Sequence, residues 1–292
     1  MQLLNGNEVS KQIRSTIRTE VEKLTQNGQR VPHLAAILVG EDGASQTYVA
    51  AKAKDCAEVG FESTVIRLDA GISEQELLAQ IESINHNPLI DGLIVQLPLP
   101  SHINTQTVTQ AIDWRKDVDG FHPMNVGLMF KGLPCYLPAT PMGVVLLLEH
   151  YQIDCTGKHC VVVGRSDIVG KPMSALMLQK NATVTVCHSK TQNIEAVIRS
   201  ADIVIAAVGI PEYIKPNMVK QGAVVVDVGI TRVADATAKS GFRLKGDVAF
   251  EPVAQQTSWI TPVPGGVGPM TRVGLLLNTL RAAQQHQNKA AH

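Results

Sequence analysis

The feature that most constrains the fold is an alternation of short apolar runs with helical patterns, which starts early and resumes around a glycine loop. Residues 34–39 form an apolar run closed by Gly40, of strand length. Residues 44–59 read as a helix with Val49, Ala53 and Cys56 on one stripe and Gly60 as its C-cap. Residues 63–68 read as a strand. Ser73 opens the next helix, and Glu76 three residues on completes a capping-box pattern. Residues 92–96 read as a strand stopped by Pro98 and Pro100. Upstream, Val9, Ile13, Ile17, Val21 and Leu24 recur at spacings of three and four, which predicts a helix over 8–26. Strands joined by helices imply a parallel sheet with helices packed on it.

From about residue 140 the alternation resumes. Residues 159–163 are a predicted strand, followed by Gly164-Arg-Ser-Asp-Ile-Val-Gly170 and a helix near 171–179. Residues 183–187, 203–208 and 223–228 give three more strands, a Rossmann-like series. Pro264-Gly-Gly-Val-Gly-Pro269 reads as a loop. The last helix is predicted from about Thr271 into the 280s, with a polar, frayed tail over 284–292. The fold class is therefore α/β, in two domains, which suits 292 residues.

Composition narrows the function. Hydrophobic residues make up 45% and charged residues 18%, which allows a sizeable core and excludes global disorder. Acidic and basic residues balance at 26 each, with no long basic run, so no nucleic-acid partner is expected. The N-terminus is polar and lacks a signal-peptide core, and the apolar run 144–148 is too short to span a bilayer. A soluble cytoplasmic protein with no membrane partner is expected. The five cysteines, Cys56, Cys135, Cys155, Cys160 and Cys187, form no Cys-x-x-Cys pair. Zinc and thioredoxin-type chemistry lack support, and reduced, mostly buried thiols are expected.

Gly164 follows an apolar strand and Gly170 lies near a helix start, where small residues let the backbone approach a pyrophosphate. Ser166 stands where the strict motif has its middle glycine, so the loop alone also fits a tight turn; its strand–turn–helix setting favours a nucleotide. The following strand ends at Val186-Cys-His-Ser-Lys190, without the Asp or Glu that an NAD enzyme places on the ribose. Ser189 and Lys190, with Arg165 on the preceding loop, suit a 2′-phosphate, so NADP is preferred over NAD. A solvated surface cluster is the alternative.

Tyr48 and Lys52 lie one helical turn apart, on one face. In short-chain dehydrogenases such a pair follows the glycine loop. Here it precedes Gly164 by more than a hundred residues, which implies a separate catalytic domain ahead of the dinucleotide domain. The spacing alone also fits an ordinary Lys52–Asp55 pair with Tyr48 packed at a domain edge. Gln96, at a strand end, is placed to bond and orient the lysine amine, and a desolvated lysine can exchange protons near neutral pH. In Lys116-Asp-Val-Asp-Gly120, Asp119 suits a pair of ring N–H groups, and it equally suits a turn in which it bonds its own backbone. No third ligand accompanies the two acids, so no metal is expected. His122, His159 and His188 read as structural.

In order along the chain, Tyr48-Val-Ala-Ala-Lys52, residues 91–100, Lys116 to Gly120, Val162-Val-Gly-Arg-Ser166 with Ile168-Val-Gly170, Cys187-His-Ser-Lys-Thr191 and Thr261-Pro-Val-Pro-Gly-Gly-Val-Gly-Pro-Met-Thr271 resemble the bifunctional methylenetetrahydrofolate dehydrogenase/cyclohydrolase family, the FolD type. The match spans most of the chain. Trp114 departs from it, standing where the family pattern has proline. The resemblance implies oxidation of 5,10-methylenetetrahydrofolate with NADP⁺, then hydrolysis of the methenyl product to 10-formyltetrahydrofolate. It implies an N-terminal folate and catalytic domain over 1–139, a Rossmann NADP-binding domain over 140–270, a cleft between them, and a helix over 271–292 folded back on the first domain. It assigns proton handling to Lys52, its tuning to Gln96, pterin positioning to Tyr48 and ring anchoring to Asp119. Pro262, Gly265 and Gly266 would line the folate site, and Gly164, Arg165, Ser166, Ser189 and Ile230 would contact NADP. A homodimer through the Rossmann domain is also implied. The rivals are another two-domain dehydrogenase, acting on shikimate-like or amino acids, and a non-catalytic NADP-binding module.

Overall fold

The computed structural model describes residues 1–235, 237 and 241–290. In chain order come β1 (Gln2–Leu3), α1 (Gly6–Gln26), β2 (His33–Val39), α2 (Gly43–Val59), β3 (Glu62–Leu68), α3 (Glu74–Asn85), β4 (Gly92–Val95), α4 (Thr105–Ala111), α5 (Pro123–Phe130) and α6 (Ala139–His150). There follow β5 (His159–Val163), α7 (Gly170–Gln179), β6 (Thr183–Cys187), α8 (Ile194–Arg199), β7 (Ile203–Ala206) and β8 (Val224–Asp227). The chain then runs through β9 (Thr231–Ala234), β10 (Phe242–Lys245), α9 (Phe250–Ala254), β11 (Trp259–Ile260) and α10 (Val267–Ala290). It divides into two compact units, 12–139 with 272–292, and 1–11 with 140–271.

The first unit holds a parallel sheet in the order β3-β2-β4. β2 is its central strand, and Leu34 to Val39 are all buried. Alternate side chains serve opposite faces, as a strand's period of two requires. Leu34, Ala36 and Leu38 join Ile17 and Val21 of α1, Val49 and Cys56 of α2, and Leu275, Leu276 and Leu280 of α10. Ala35, Ile37 and Val39 join Leu77, Ile81 and Ile84 of α3 and Val108 of α4. The predicted caps form: Gly60 ends α2 in the left-handed region at φ 84°, and Ser73 and Glu76 exchange both capping-box bonds.

α10 departs from the prediction at both ends. It starts at Val267 rather than near Thr271, because Gly268 and Pro269 fall in its first turn, where proline's missing N–H is not needed. It runs on to Ala290 instead of fraying from 284, because the polar tail is anchored. Tyr136 donates its hydroxyl to Gln285, His286 Nδ1 lies 3.2 Å from Asp91 Oδ1, and Gln287 Nε2 donates to Arg30 O. Residues 291–292 of the predicted tail lie outside the described residues.

The second unit carries a parallel sheet in the order β1-β11-β8-β7-β5-β6. β1 pairs with β11, and Asn7 N donates to Gly265 O, so residues 1–11 belong to this unit and not to the domain predicted over 1–139. The antiparallel pair β9–β10 was not predicted. Its core gathers Val161, Val163, Val204, Ala206, Val225 and Ile260. All five cysteines are unpaired, four of them buried. No described helix is long and apolar enough to cross a membrane.

Gly120 sits at φ 74°, and a Cβ there would lie 2.6 Å from Leu137 C and Pro138 N. Gly120→Ala is expected to lower stability by about 1–3 kcal/mol. Urea unfolding should show a lower midpoint at unchanged slope, and a wild-type midpoint would contradict this packing.

Candidate active site

In the first unit, Gln96 directly follows β4, and its N–H continues the ladder to Ile37 O at 2.9 Å. Its side-chain Nε2 donates to Leu97 O at 2.7 Å, which turns Oε1 toward α2, where it accepts from Lys52 Nζ at 3.2 Å. Lys52 therefore bonds Gln96 and not Asp55. Asp55 is buried and pairs with Arg272 at 2.9 Å and Arg14 at 3.7 Å. Burial pushes the Asp55 carboxyl up, against the pull of those two cations. Tyr48, one turn before Lys52, is exposed.

The Lys116 to Gly120 segment separates structural groups from a spare one. Lys116 is buried and donates to Ile84 O at 2.8 Å and Asn87 O at 2.6 Å, carbonyls at the end of α3. Asp117 accepts from His122 N and Asn125 Nδ2, both at 2.8 Å. Asp119 bonds no backbone of its own and has no hydrogen-bond partner among the described residues. Burial raises its carboxyl, and the Lys52 charge opposes that rise. A half-buried carboxylate with open oxygens, acted on by the charge of the Lys52 ammonium, can accept a pair of N–H donors.

Sequence reasoning missed Asn278. It is fully buried on α10, and its Nδ2 donates to Val118 O and Leu137 O at 2.8 Å each, which fixes the backbone on both sides of the Asp119 turn. Its signal was one amide after Leu275-Leu-Leu on an apolar helix. The three histidines bond locally: His122 Nδ1 accepts from Met124 N, His188 Nδ1 accepts from Lys190 N, and His159 Nε2 lies 2.9 Å from Thr185 Oγ1. No group of three or more His, Cys, Asp or Glu residues able to hold a metal occurs among the described residues.

In the second unit, β5 lies between β6 and β7, so the chain leaves β5 where strand order reverses. Gly164 has φ 132°, and a Cβ on it would lie 2.2 Å from Ala207 O; one on Gly170 would lie 2.2 Å from Gly164 O. These two glycines let strand, loop and α7 close on one another. Ser166 Oγ accepts from Val169 N and Gly170 N at 3.2 and 3.3 Å, so this predicted cofactor contact also shapes the loop. Arg165 and Ser189 are exposed beyond the carboxyl ends of the adjacent strands β5 and β6. The Arg165 guanidinium has no ion pair among the described residues, which fits an anionic ligand. Ile230 is exposed after β8. Pro262, Gly265 and Gly266 follow β11; Thr261 beside them accepts from Asp227 N at 2.7 Å.

A sheet with a glycine loop at its switch point and a free cation there defines a Rossmann-type dinucleotide-binding unit, joined to a second α/β unit. Residues 4–119 match the tetrahydrofolate dehydrogenase/cyclohydrolase catalytic domain, and residues 138–287 match the NAD(P)-binding domain of the same family. The chain belongs to the tetrahydrofolate dehydrogenase/cyclohydrolase family. It is 56% identical over 289 residues to the bifunctional protein FolD of Bacteroides fragilis, covering 98% of this chain and 99% of that one. The structure is similar to the bifunctional enzyme FolD, a methylenetetrahydrofolate dehydrogenase/cyclohydrolase, of Campylobacter jejuni (TM-score 0.94, 46% identity, 98% and 99% of the two chains). It is also similar to the Trypanosoma brucei methylenetetrahydrofolate dehydrogenase-cyclohydrolase complexed with NADP and inhibitor (TM-score 0.92, 38% identity, 96% of each chain).

Proposed function

We propose that this chain oxidises 5,10-methylenetetrahydrofolate with NADP⁺ and hydrolyses the methenyl product to 10-formyltetrahydrofolate. The observation that carries the reading is the Lys52–Gln96 hydrogen bond, with the Lys52 charge acting on Asp119, which has no hydrogen bond among the described residues, in a chain of this family. Gly164, Arg165, Ser166, Ser189 and Ile230 would hold NADP⁺, which would supply the hydride acceptor. Leaving as hydride, the hydrogen needs no base, because the folate nitrogens stabilise the cation; the protein's work in this step is positioning. Asp119 accepts N–H groups of the pterin ring, and Tyr48 lines and positions it. Pro262, Gly265 and Gly266 shape the folate wall.

Hydrolysis needs proton handling. Water oxygen bonds to the methenyl carbon, one water proton is released, and the other ends on N5 as its bond to that carbon breaks. Lys52 Nζ is the proton carrier, kept in place by Gln96. In the nucleotide site, Gly164, Ser166 and Ile230 shape the approach, and Arg165 with Ser189 engages the 2′-phosphate.

The cytoplasm suits five unpaired cysteines, and the formyl product is a one-carbon donor of the kind that purine biosynthesis consumes. A homodimer through the second unit would cover β6, which ends its sheet and exposes Val186. Sedimentation giving a monomer mass would remove the dimer.

Lys52→Met is expected to cut cyclohydrolase turnover by about 100-fold or more while folate binding changes little. Decay of methenyl absorbance measures it, and wild-type turnover would sink the role of Lys52. Arg165→Ala is expected to raise the KM for NADP⁺ about tenfold. An equal rise with NAD⁺ would argue against a 2′-phosphate contact.

A further inference from the structure

Two buried acids in the second unit have no place in the chemistry above. Asp227 ends β8, and Asp247 lies between β10 and α9; they are 3% and 0% exposed. Their hydrogen bonds come from backbone N–H groups. Asp227 Oδ1 accepts from Gly229 N and Asp247 N, and Oδ2 from Val248 N, all at 2.9 Å. Asp247 Oδ2 accepts from Val208 N at 2.6 Å and Gly209 N at 2.9 Å, while its buried Oδ1 has no hydrogen-bond partner among the described residues. A Cβ on Gly229 would lie 2.2 Å from Asp247 Oδ1, and one on Gly246 would lie 1.9 Å from Asp227 Oδ2, so both positions leave the acids room.

Burying neighbouring carboxylates is costly, and no cation among the described residues is bonded to either. Burial pushes Asp227 up to about 7, the Asp247 charge adds to the rise, and the backbone donors oppose it. What this arrangement holds are the loops beyond the carboxyl ends of β7 and β8, where an open α/β sheet binds its ligand. Because a trans peptide sets N–H and C=O on opposite sides, inward N–H groups at Val208, Gly209 and Gly229 turn the carbonyls of Ala207, Val208 and Val228 away from the acids. The first of these meets Gly164 of the glycine loop.

We infer that Asp227 and Asp247 are positioning residues that fix loops 207–209 and 228–230 in binding shape before the dinucleotide arrives. The identity of that ligand as NADP⁺ rests on the function proposed above. The acids do not touch the reacting atoms; they act through Ile230, which lies in one of these loops, and through Gly164, which packs on Ala207 of the other.

The test uses the full chain and both activities, with methenyltetrahydrofolate supplied directly, without NADP⁺, for the second. Asp247→Ala is expected to raise the KM for NADP⁺ about tenfold or more, with kcat and cyclohydrolase turnover within about threefold of wild type. Asp247→Asn still offers an acceptor to Val208 and Gly209, and should return that KM to within about threefold. An unchanged KM in the alanine variant would overturn the inference. So would an equal loss of cyclohydrolase turnover, or an asparagine variant as impaired as alanine. Amide exchange on the wild-type protein without NADP⁺ decides the matter if the alanine variant does not fold. The Val208, Gly209 and Gly229 amides should be protected already, and fast exchange until NADP⁺ binds would overturn the clamp. Protected amides in a wild-type protein that reduces no NADP⁺ would instead sink the cofactor assignment, and with it the role assigned to the acids.

Discussion

Parallel hydrogen bonding between β5 and its neighbours β6 and β7 decides what can meet in the second unit. It aligns the carboxyl ends of these strands on one edge, with the glycine loop between two further loops. Gly164 can then press on Ala207, and Arg165 and Ser189 emerge from adjacent strands although they are far apart in the chain. The first unit repeats the device on a smaller scale. β2 and β4 pair in parallel, and the ladder's last bond, from Gln96 to Ile37, sets the glutamine beside the helix that carries Lys52.

Buried polar groups hold the loops that the strands leave. An exposed pair such as Lys171–Asp167 contributes about 0–1 kcal/mol. Leaving a buried donor or acceptor unpaired costs about 1–3 kcal/mol, so the buried groups dominate. Lys116 closes the end of α3, Asp117 ties the turn into α5, and Asn278 clamps the Asp119 turn from α10. Asp119 alone of that cluster keeps its oxygens open. In the second unit Asp227 and Asp247 do for the strand-end loops what Asn278 does for the Asp119 turn, using carboxylates where the donors are backbone N–H groups.

The elements with a strong local pattern were legible. β2 is apolar because both its faces are covered, and α2 and α3 carry their stop and start signals in Gly60 and Ser73. The weak points were contextual. The short strand β1 has only two residues and exists because β11 lies beside it. The tail of α10 looked frayed because its polar residues find their partners, Tyr136, Asp91 and Arg30, far away in the chain. The ambiguity at Lys52 had the same origin, since spacing along α2 offers Asp55, and only packing gives Asp55 to two arginines and Lys52 to Gln96.

By itself the sequence determined the α/β class, the succession of strands and helices, and the ordered motifs that resemble one folate enzyme family. Those follow from periodicity, capping and residue type, which are local properties of a chain. Tertiary structure alone decided that residues 1–11 serve the second sheet, and that Asp119 rather than Asp117 stays open. It also decided that Asn278, Asp227 and Asp247 hold the loops around the candidate sites. A hydrogen bond between residues far apart in sequence leaves no periodic trace, so its partners become visible only when the fold brings them within hydrogen-bonding distance.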